Sequence, residues 1–403
     1  MYFDFRTYFK VVWLVLTDKP SPKRLVAHLG ILALLTSWAV CNALFLLLDR
    51  LLYPGCGNVE IRNPIFVIGN GRSGTTFFHR LLCGDEERFI SFTLWEILFP
   101  SLVQKRILRA LFRTWARLLP RSFQRAKDWE GRQLGSLKAQ RPIGIDDPDE
   151  DDFLLMIPFA SPVITALFPY MEELEELARF DQRPEAARRG IMGMYRQCVS
   201  RQLAFHGVGK AGDVGRAGDG GEAGPRTFLS KNPSFVARIR SLGEEFPDAK
   251  FIYLIRNPYE TIPSLLKLLN TVWTGLGLES DHIESSTRQL ARGCMEDYNY
   301  AFEELRKLPD ERYAVVSYTD LVADPKATVE KVYDRLNLSI SPDFERRLAA
   351  ERSRQKRYHS SNVYSLEEFG VSPEEVAERL SDLIARFGFR PEDVPENETR
   401  EML

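Results

Sequence analysis

The sharpest feature of the hydropathy pattern lies near the N-terminus. Leu25–Leu48 holds no Asp, Glu, Lys or Arg and is rich in Leu, Ala and Val. A helix of about 20 apolar residues suffices to cross a bilayer, and a secretory signal core is shorter, roughly 7–15 residues. Arg6, Lys10, Lys19, Lys23 and Arg24 precede the run, and Asp49 and Arg50 follow it. That bias places the N-terminus on the cytoplasmic side. The pattern predicts a membrane-anchoring region over residues 1–58, single-pass, with the rest of the chain on the far side. In a bacterium a membrane-associated, non-spanning anchor fits better. His28 and Asn42 interrupt the run and point to the alternative of an interfacial helix, joined by Tyr8–Leu16.

After Asn63–Pro64 the period changes. Ile65–Ile68 reads as a buried strand, Gly69–Gly74 as a loop and Thr75–Leu82 as a helix. Lys250–Ile255 repeats the strand pattern, ends at Arg256–Pro258 and leads into a helix. Tyr313–Ser317 is a third strand, followed by a helix around Lys326–Leu336. Strands alternating with helices predict an α/β, P-loop-like three-layer fold, its central parallel sheet flanked by helices and preceded by the N-terminal hydrophobic helix. Residues 59–403 form that domain, with a flexible Gly-rich insertion at about 207–224.

Charge narrows the function. Lys plus Arg number 54 and Asp plus Glu 56, a net charge of −2. That balance argues against nucleic acid as a partner. The five cysteines form no CxxC pair and suggest no zinc site. Gly69-Asn70-Gly71-Arg72-Ser73-Gly74-Thr75-Thr76 is an anion cradle: glycines turn backbone N–H groups inward, and the helix N-terminus adds positive potential. The spacing follows the P-loop pattern GxxxxGK[ST] except that Thr75 stands where a triphosphatase has Lys. That Lys steadies β- and γ-phosphates. No strand ends in a Walker B aspartate; the best candidate ends in Arg256. The loop therefore suits a phosphate-like group and not ATP hydrolysis.

Pro64–Thr76 resembles the 5′-phosphosulfate loop of sulfotransferases that use 3′-phosphoadenosine-5′-phosphosulfate (PAPS), with Gly71 in place of the family's Pro. The resemblance implies that Gly71, Arg72, Ser73, Gly74, Thr75 and Thr76 wrap the phosphosulfate. Arg256 and Ser264, eight residues apart, resemble the family's 3′-phosphate motif; Arg offers a planar fork suited to phosphate. Lys231, in Leu229-Ser230-Lys231-Asn232-Pro233, is similar to the Lys that faces the transferring group in tyrosylprotein sulfotransferases. Tyr318, in Ser317-Tyr318-Thr319-Asp320-Leu321, resembles the family's YEDL segment near the nucleotide. The similarity covers roughly Asn63 to Leu338 and implies transfer of a sulfuryl group from PAPS, without a metal, to an acceptor hydroxyl. Carbohydrate, glycolipid, sterol-like alcohol and tyrosine acceptors all remain open. In a eukaryote the anchor implies a Golgi-type, lumenal catalytic domain. The alternative is a P-loop nucleotide-binding protein without transfer activity.

The resemblance assigns catalysis to Lys231, Arg72 and a base. Glu96, in Leu94-Trp95-Glu96, follows the first helix as the family's catalytic Glu does, a few residues further on. His79, on the helix after the loop, is its rival. Asp147-Pro148-Asp149-Glu150 reads as a helix cap with Pro at the first helical position, bordering the acceptor pocket if it has a second role.

Overall fold

The computed structural model describes residues 2–18, 20–133, 144–208, 226–278, 280–355 and 365–393. Its centre is a parallel sheet of β1 (Ile65–Gly69), β2 (Phe89–Ile90), β3 (Thr227–Lys231), β4 (Lys250–Ile255) and β5 (Tyr313–Ser317), in the order β2-β3-β1-β4-β5. The middle strands are apolar and buried throughout, as parallel strands covered on both faces must be. Alternation divides them. Phe66, Ile68, Phe251 and Tyr253 face one layer, with Tyr195, Val199 and Tyr298; Ile65, Val67, Ile252 and Leu254 face the other, with Phe78, Leu82 and Val332. The three-layer α/β architecture thus stands as expected. The very short β2 and the polar-ended β3 were not anticipated from the pattern.

The helices that matter for the site are, in chain order, α1 (Phe5–Thr17), α2 (Pro22–Leu52), α3 (Thr75–Cys83), α4 (Leu94–Leu98), α5 (Leu102–Leu118), α6 (Pro120–Gln133), α7 (Glu185–Phe205), α8 (Pro258–Gly275), α9 (Ser280–Leu305) and α10 (Pro325–Arg335). The strand order explains where a ligand fits. From β1 the chain leaves toward β2 and β3; from β4 it leaves the other way, toward β5. Such a switch point opens a crevice at the carboxyl ends of the two strands. The register Gly69↔Leu254 and Val67↔Lys231 brings the 69–74 loop, Arg256 and Lys231 to that edge.

The uncharged N-terminal run is the middle of α2, and α2 does not stand apart from the domain. Arg24, His28, Leu32, Ala39, Asn42, Leu46 and Asp49 form one buried stripe at helical spacing. Polar contacts pin both ends. The Arg24 guanidinium lies 2.5 Å from Asp18 and 3.4 Å from the Tyr170 hydroxyl. Asp49 accepts from the Ser101 hydroxyl at 2.8 Å, from the Leu102 and Val103 amides at 2.9 Å each, and from Arg201 Nε at 2.9 Å. It thus satisfies N–H groups at the start of α5 that have no partner within that helix. Between the ends, Trp38 Nε1 and Asn42 Nδ2 donate to the Leu98 carbonyl at 2.9 and 3.3 Å. Most of the Gly-rich insertion at 207–224 lies outside the described residues. The five cysteines are free thiols.

Asp49→Ala should therefore be disruptive. It leaves the Arg201 charge and the α5 amides buried without their acceptor. Removing one partner of a buried pair costs on the order of 3–5 kcal/mol. Equilibrium unfolding in denaturant should show a loss of that size, whereas Arg50→Ala, on an exposed side chain, should change stability by less than about 1 kcal/mol.

Candidate functional site

The 69–74 loop has the backbone such a cradle requires. Asn70 fastens it: its Nδ2 donates to the Cys294 carbonyl at 2.8 Å, and the Tyr253 hydroxyl donates to its Oδ1 at 3.3 Å. Arg72 takes φ 71° and Gly74 φ 87°, both left-handed. Strain at a non-glycine residue of this kind persists only where its surroundings enforce it. Here Arg256 Nη1 donates to the Arg72 carbonyl at 3.2 Å, and Arg72 Nε donates to Ser264 Oγ at 3.1 Å. At Gly74 a Cβ would sit 2.5 Å from the Tyr318 ring, and at Gly71 one would sit 3.1 Å from Leu265. α3 begins at Thr75, aiming its N-terminal amides into the same space.

Residues from distant parts of the chain meet here. The Arg256 guanidinium stacks 4.2 Å above the Tyr318 ring and is held from the side by Glu260. Ser264 is on α8, whose first turn is capped by Asn257 and opens with Pro258. Arg72, Arg256, Ser264 and Tyr318 thus form one cluster with the loop. Two guanidinium forks, a hydroxyl, inward amides and an aromatic face are a donor set suited to an anionic nucleotide. Among the described residues no group of acidic, His or Cys side chains could hold a metal.

Lys231 ends β3 and is buried. Its Nζ donates to Thr76 Oγ1 at 3.2 Å and to Glu150 Oε1 at 2.7 Å, so it stands beside the first turn of α3. Thr75 packs its methyl against Gly69, at the position a triphosphatase gives to Lys. Glu150 is one-fifth exposed and borders the cradle. Its position comes from a turn that differs from the helix cap the sequence suggests. Pro148 pairs with Thr93 in an isolated antiparallel bridge, and the 3-10 turn starts only at Asp151. The bridge at Pro148 and the extended backbone of Glu150 bring the Glu150 carboxylate to Lys231. The next residue is anchored inward: Asp151 accepts from the Tyr195 hydroxyl at 2.5 Å and from Ser230 Oγ at 3.0 Å. Burial pushes the Asp151 carboxyl up to about 7 against those hydrogen bonds.

Glu96 has a different environment. It is buried at the start of α4 and closes a capping box with Thr93. Its Oε2 accepts from the Thr93 amide at 3.0 Å, the Thr93 hydroxyl at 2.9 Å and Gln202 Nε2 at 2.8 Å; its Oε1 lies 3.0 Å from His206 Nε2. Burial raises its pKa, but His206, Lys105 and the Thr93 amide outweigh that and hold it down at about 2. Lys105, buried behind it, donates to Gln202 and is pushed down to about 8 by burial. His79 is fully buried between Ser91 and Cys83, at 3.3 and 3.5 Å, and burial with Lys231 and Arg80 nearby keeps it neutral. The sequence reading missed Glu150, His206 and Lys105. Only the acidic run around Glu150 carried a signal.

A parallel α/β sheet with a phosphate cradle at its switch point, backed by Arg256 and Lys231, defines a class of enzymes that move phosphate-like groups. Residues 64–342 match the model of the Sulfotransferase family, and the chain belongs to that family. It is a sulfotransferase. Curated relatives named omega-hydroxy-beta-dihydromenaquinone-9 sulfotransferase Stf3, from Mycobacterium bovis and Mycobacterium tuberculosis, are 27% identical over 337 residues, covering 81% of this chain and 75% of each relative. The sulfotransferase STF9 of Mycobacterium avium superposes with a TM-score of 0.71 at 17% identity, over 96% of this chain and 93% of that one. STF1 of Mycobacterium tuberculosis gives 0.61 at 19% identity, over 94% and 98%.

The raised Asp151 carboxyl has a measurable consequence. The folded chain holds its proton to about pH 7, whereas an unfolded Asp releases it near 3.8. Between those values the native state binds more protons, so stability falls as pH rises from about 4 to about 7. Asp297, also raised to about 7 by burial, acts in the same window. Asp151→Asn should flatten part of that slope, read as the difference between wild-type and variant thermal midpoints across pH 4–8. Parallel curves would show that Asp151 does not change charge there.

Proposed function

We propose that the chain transfers the sulfuryl group of PAPS to a hydroxyl on a membrane-resident lipid. The observation that carries the donor is the junction of Arg72, Ser264 and Arg256 around one strained loop. PAPS bears a 5′-phosphosulfate and a 3′-phosphate. The loop amides with Arg72, Ser73, Thr75 and Thr76 suit the first, and Arg256 with Ser264 suits the second. Tyr318, held under Arg256, offers a face toward the nucleoside. The lipid acceptor rests on the relatives' name and on the apolar N-terminal helix, the one helix among the described residues long and apolar enough to cross a membrane. We place the chain at a membrane for the same reason.

The chemistry follows from where charge develops. The acceptor O–H gives up its proton as its oxygen attacks sulfur. The bond from sulfur to the bridging phosphate oxygen breaks, and its electron pair leaves with 3′,5′-diphosphoadenosine. Charge builds on the sulfuryl and bridging oxygens, and preorganised cations there are worth most. Lys231 serves as that cation, within reach of Thr76. For the proton we assign Glu150. It is partly open to solvent and already next to Lys231, and general bases must lie within hydrogen-bond reach of the reacting group. Glu96, with both oxygens engaged and its pKa held near 2, is a weak base; it acts by fixing α4 and His206. His79, enclosed and neutral, acts as packing.

Calorimetric titration tests the donor half. Arg256→Ala should weaken 3′,5′-diphosphoadenosine binding at least tenfold and leave adenosine 5′-phosphosulfate, which lacks the 3′-phosphate, nearly unchanged. Equal losses would remove Arg256 from the 3′-phosphate site, and tighter binding of ATP than of the diphosphate would remove PAPS as donor.

Transfer assays test the catalytic half. Lys231→Ala and Glu150→Gln should keep diphosphate affinity within a few-fold yet lower kcat by roughly 10²–10⁴. Glu96→Gln should lower thermal stability by breaking the capping box while keeping most of kcat. Loss of turnover in Glu96→Gln at normal stability, with Glu150→Gln active, would return the base to Glu96.

A further inference from the structure

The net charge of −2 conceals a strong local asymmetry. From Ile97 to Lys127 the chain carries eight Lys and Arg residues and no Asp or Glu. This stretch covers α5 and the first half of α6, which continues through Asp128 and Glu130; of the eight basic residues only Lys105 is buried. On α5 the arginines fall at 106, 109, 113 and 117, three or four residues apart, so they share a flank of the helix. Beside them the same pair of helices leaves Ile107, Leu111, Phe112, Leu118, Leu119 and Trp129 exposed. A helix with a basic flank and bare apolar side chains is the pattern of a membrane-surface element.

The neighbouring helices extend that surface. The first amides of α5 donate to Asp49 in the last turn of α2, and α1 meets α2 where the Tyr8 and Thr36 hydroxyls lie 3.1 Å apart. α6 folds back on α5, with the Trp115 and Phe123 rings 5.4 Å apart. Away from its buried stripe α2 exposes Val26, Leu34, Leu44 and Leu51; α1 exposes Phe5, Phe9 and Trp13. Four helices, each touching the next, therefore present apolar side chains outward, and their polar contacts point into the domain.

Geometry also decides how the surface is used. Arg24 and Asp49, 25 positions apart, lie about 37 Å apart along a helix rising 1.5 Å per residue. That exceeds the roughly 30 Å of a hydrocarbon core. Yet Arg24 reaches Tyr170 and Asp49 reaches Arg201, both in the one catalytic domain. A spanning α2 would pull that domain, with its charges, through the bilayer or break both sets of contacts.

We infer that α1, α2, α5 and α6 dock the enzyme flat on an anionic lipid bilayer, with the arginines of α5 and α6 on the headgroups and the bare apolar side chains between them. The inference rests on the membrane association proposed above but on none of the proposed chemistry. The docked face adjoins the transfer site through α4, which leads directly into α5. An acceptor hydroxyl can then be offered from the lipid side while the donor enters from water.

The test uses the full chain, diluted from detergent onto preformed vesicles of phosphatidylcholine alone or with phosphatidylglycerol, and separated by sedimentation. Binding should be at least tenfold tighter to the anionic vesicles and should be reversed by salt. The triple change Arg113→Glu, Arg117→Glu, Arg121→Glu should abolish that preference, and Leu118→Glu with Leu119→Glu should weaken binding to both vesicle types. Unchanged affinity for 3′,5′-diphosphoadenosine would show that the variants are folded and that the donor site is intact. Equal binding to neutral vesicles, retention that ignores salt and headgroup charge, or tighter binding to duplex DNA than to anionic vesicles would each overturn the inference. No binding to either vesicle would overturn it together with the membrane reading, leaving the donor reading to its own titration.

Discussion

The site depends on one topological constraint, the reversal of chain direction between β1 and β4. Parallel strands need long crossovers, and here the crossovers from these two neighbours leave toward opposite edges of the sheet. Nothing then covers their carboxyl ends except what the next residues provide. Those residues are a loop with two left-handed positions after β1 and Arg256 after β4. Each stabilises the other. Arg256 holds the Arg72 carbonyl in its strained place, and Arg72 reaches across to Ser264 on the helix that follows Arg256. In the donor site we propose, phosphate affinity therefore needs both halves.

Behind the cradle lies an expensive layer of buried ionisable groups. Lys231, Asp151, Asp152 and Arg238 are each all but inaccessible. Burying such groups costs several kcal/mol per ion before pairing. Arg238 bonds Asp152 at 3.1 Å and the Ala160 carbonyl at 3.0 Å, while Asp151 ties the 151–156 turn to Ser230, the residue before Lys231. A hydrophobic layer would be as stable or more so. What the polar layer supplies is direction. It fixes the turn carrying Glu150 against the strand carrying Lys231, so a carboxylate and an ammonium group meet beside the loop.

How much of this could be read from the sequence depended on the range of the forces involved. The 65–76 unit was legible because a buried strand, a glycine turn and a helix start each follow local rules. Arg256 and Ser264 were legible as a spacing on one strand and one helix. Their meeting with Arg72 follows from sheet order, which no local pattern states. β2 escaped notice because two residues carry no period, and β3 because Ser230 and Lys231 break the apolar alternation. The Asp-Pro pair of the 147–150 segment has the local pattern of a helix cap; the competing bridge between Pro148 and Thr93 is a tertiary contact. For α2, composition announced an apolar helix correctly. Its polar stripe, spread over Arg24, Asn42 and Asp49, shows only when those residues are placed at helical spacing. The basic run at 97–127 vanished into a whole-chain charge near zero.

Glu96 and Glu150 differ in how their surroundings suit the proton-accepting role we propose. Glu96 lies inside the first turn of α4, and Glu150 immediately precedes the 151–156 turn. Glu96 satisfies its oxygens with an amide, a hydroxyl, Gln202 and His206, and the buried Lys105 adds its field. Every one of those partners favours the charged form, so the group gains little by accepting a proton. Glu150 shares one side with Lys231 and keeps part of its surface open. In the mechanism we propose, Lys231 turns toward a sulfuryl oxygen and the acceptor hydroxyl reaches the open side of Glu150, a position that Glu96, bonded through both oxygens, does not have.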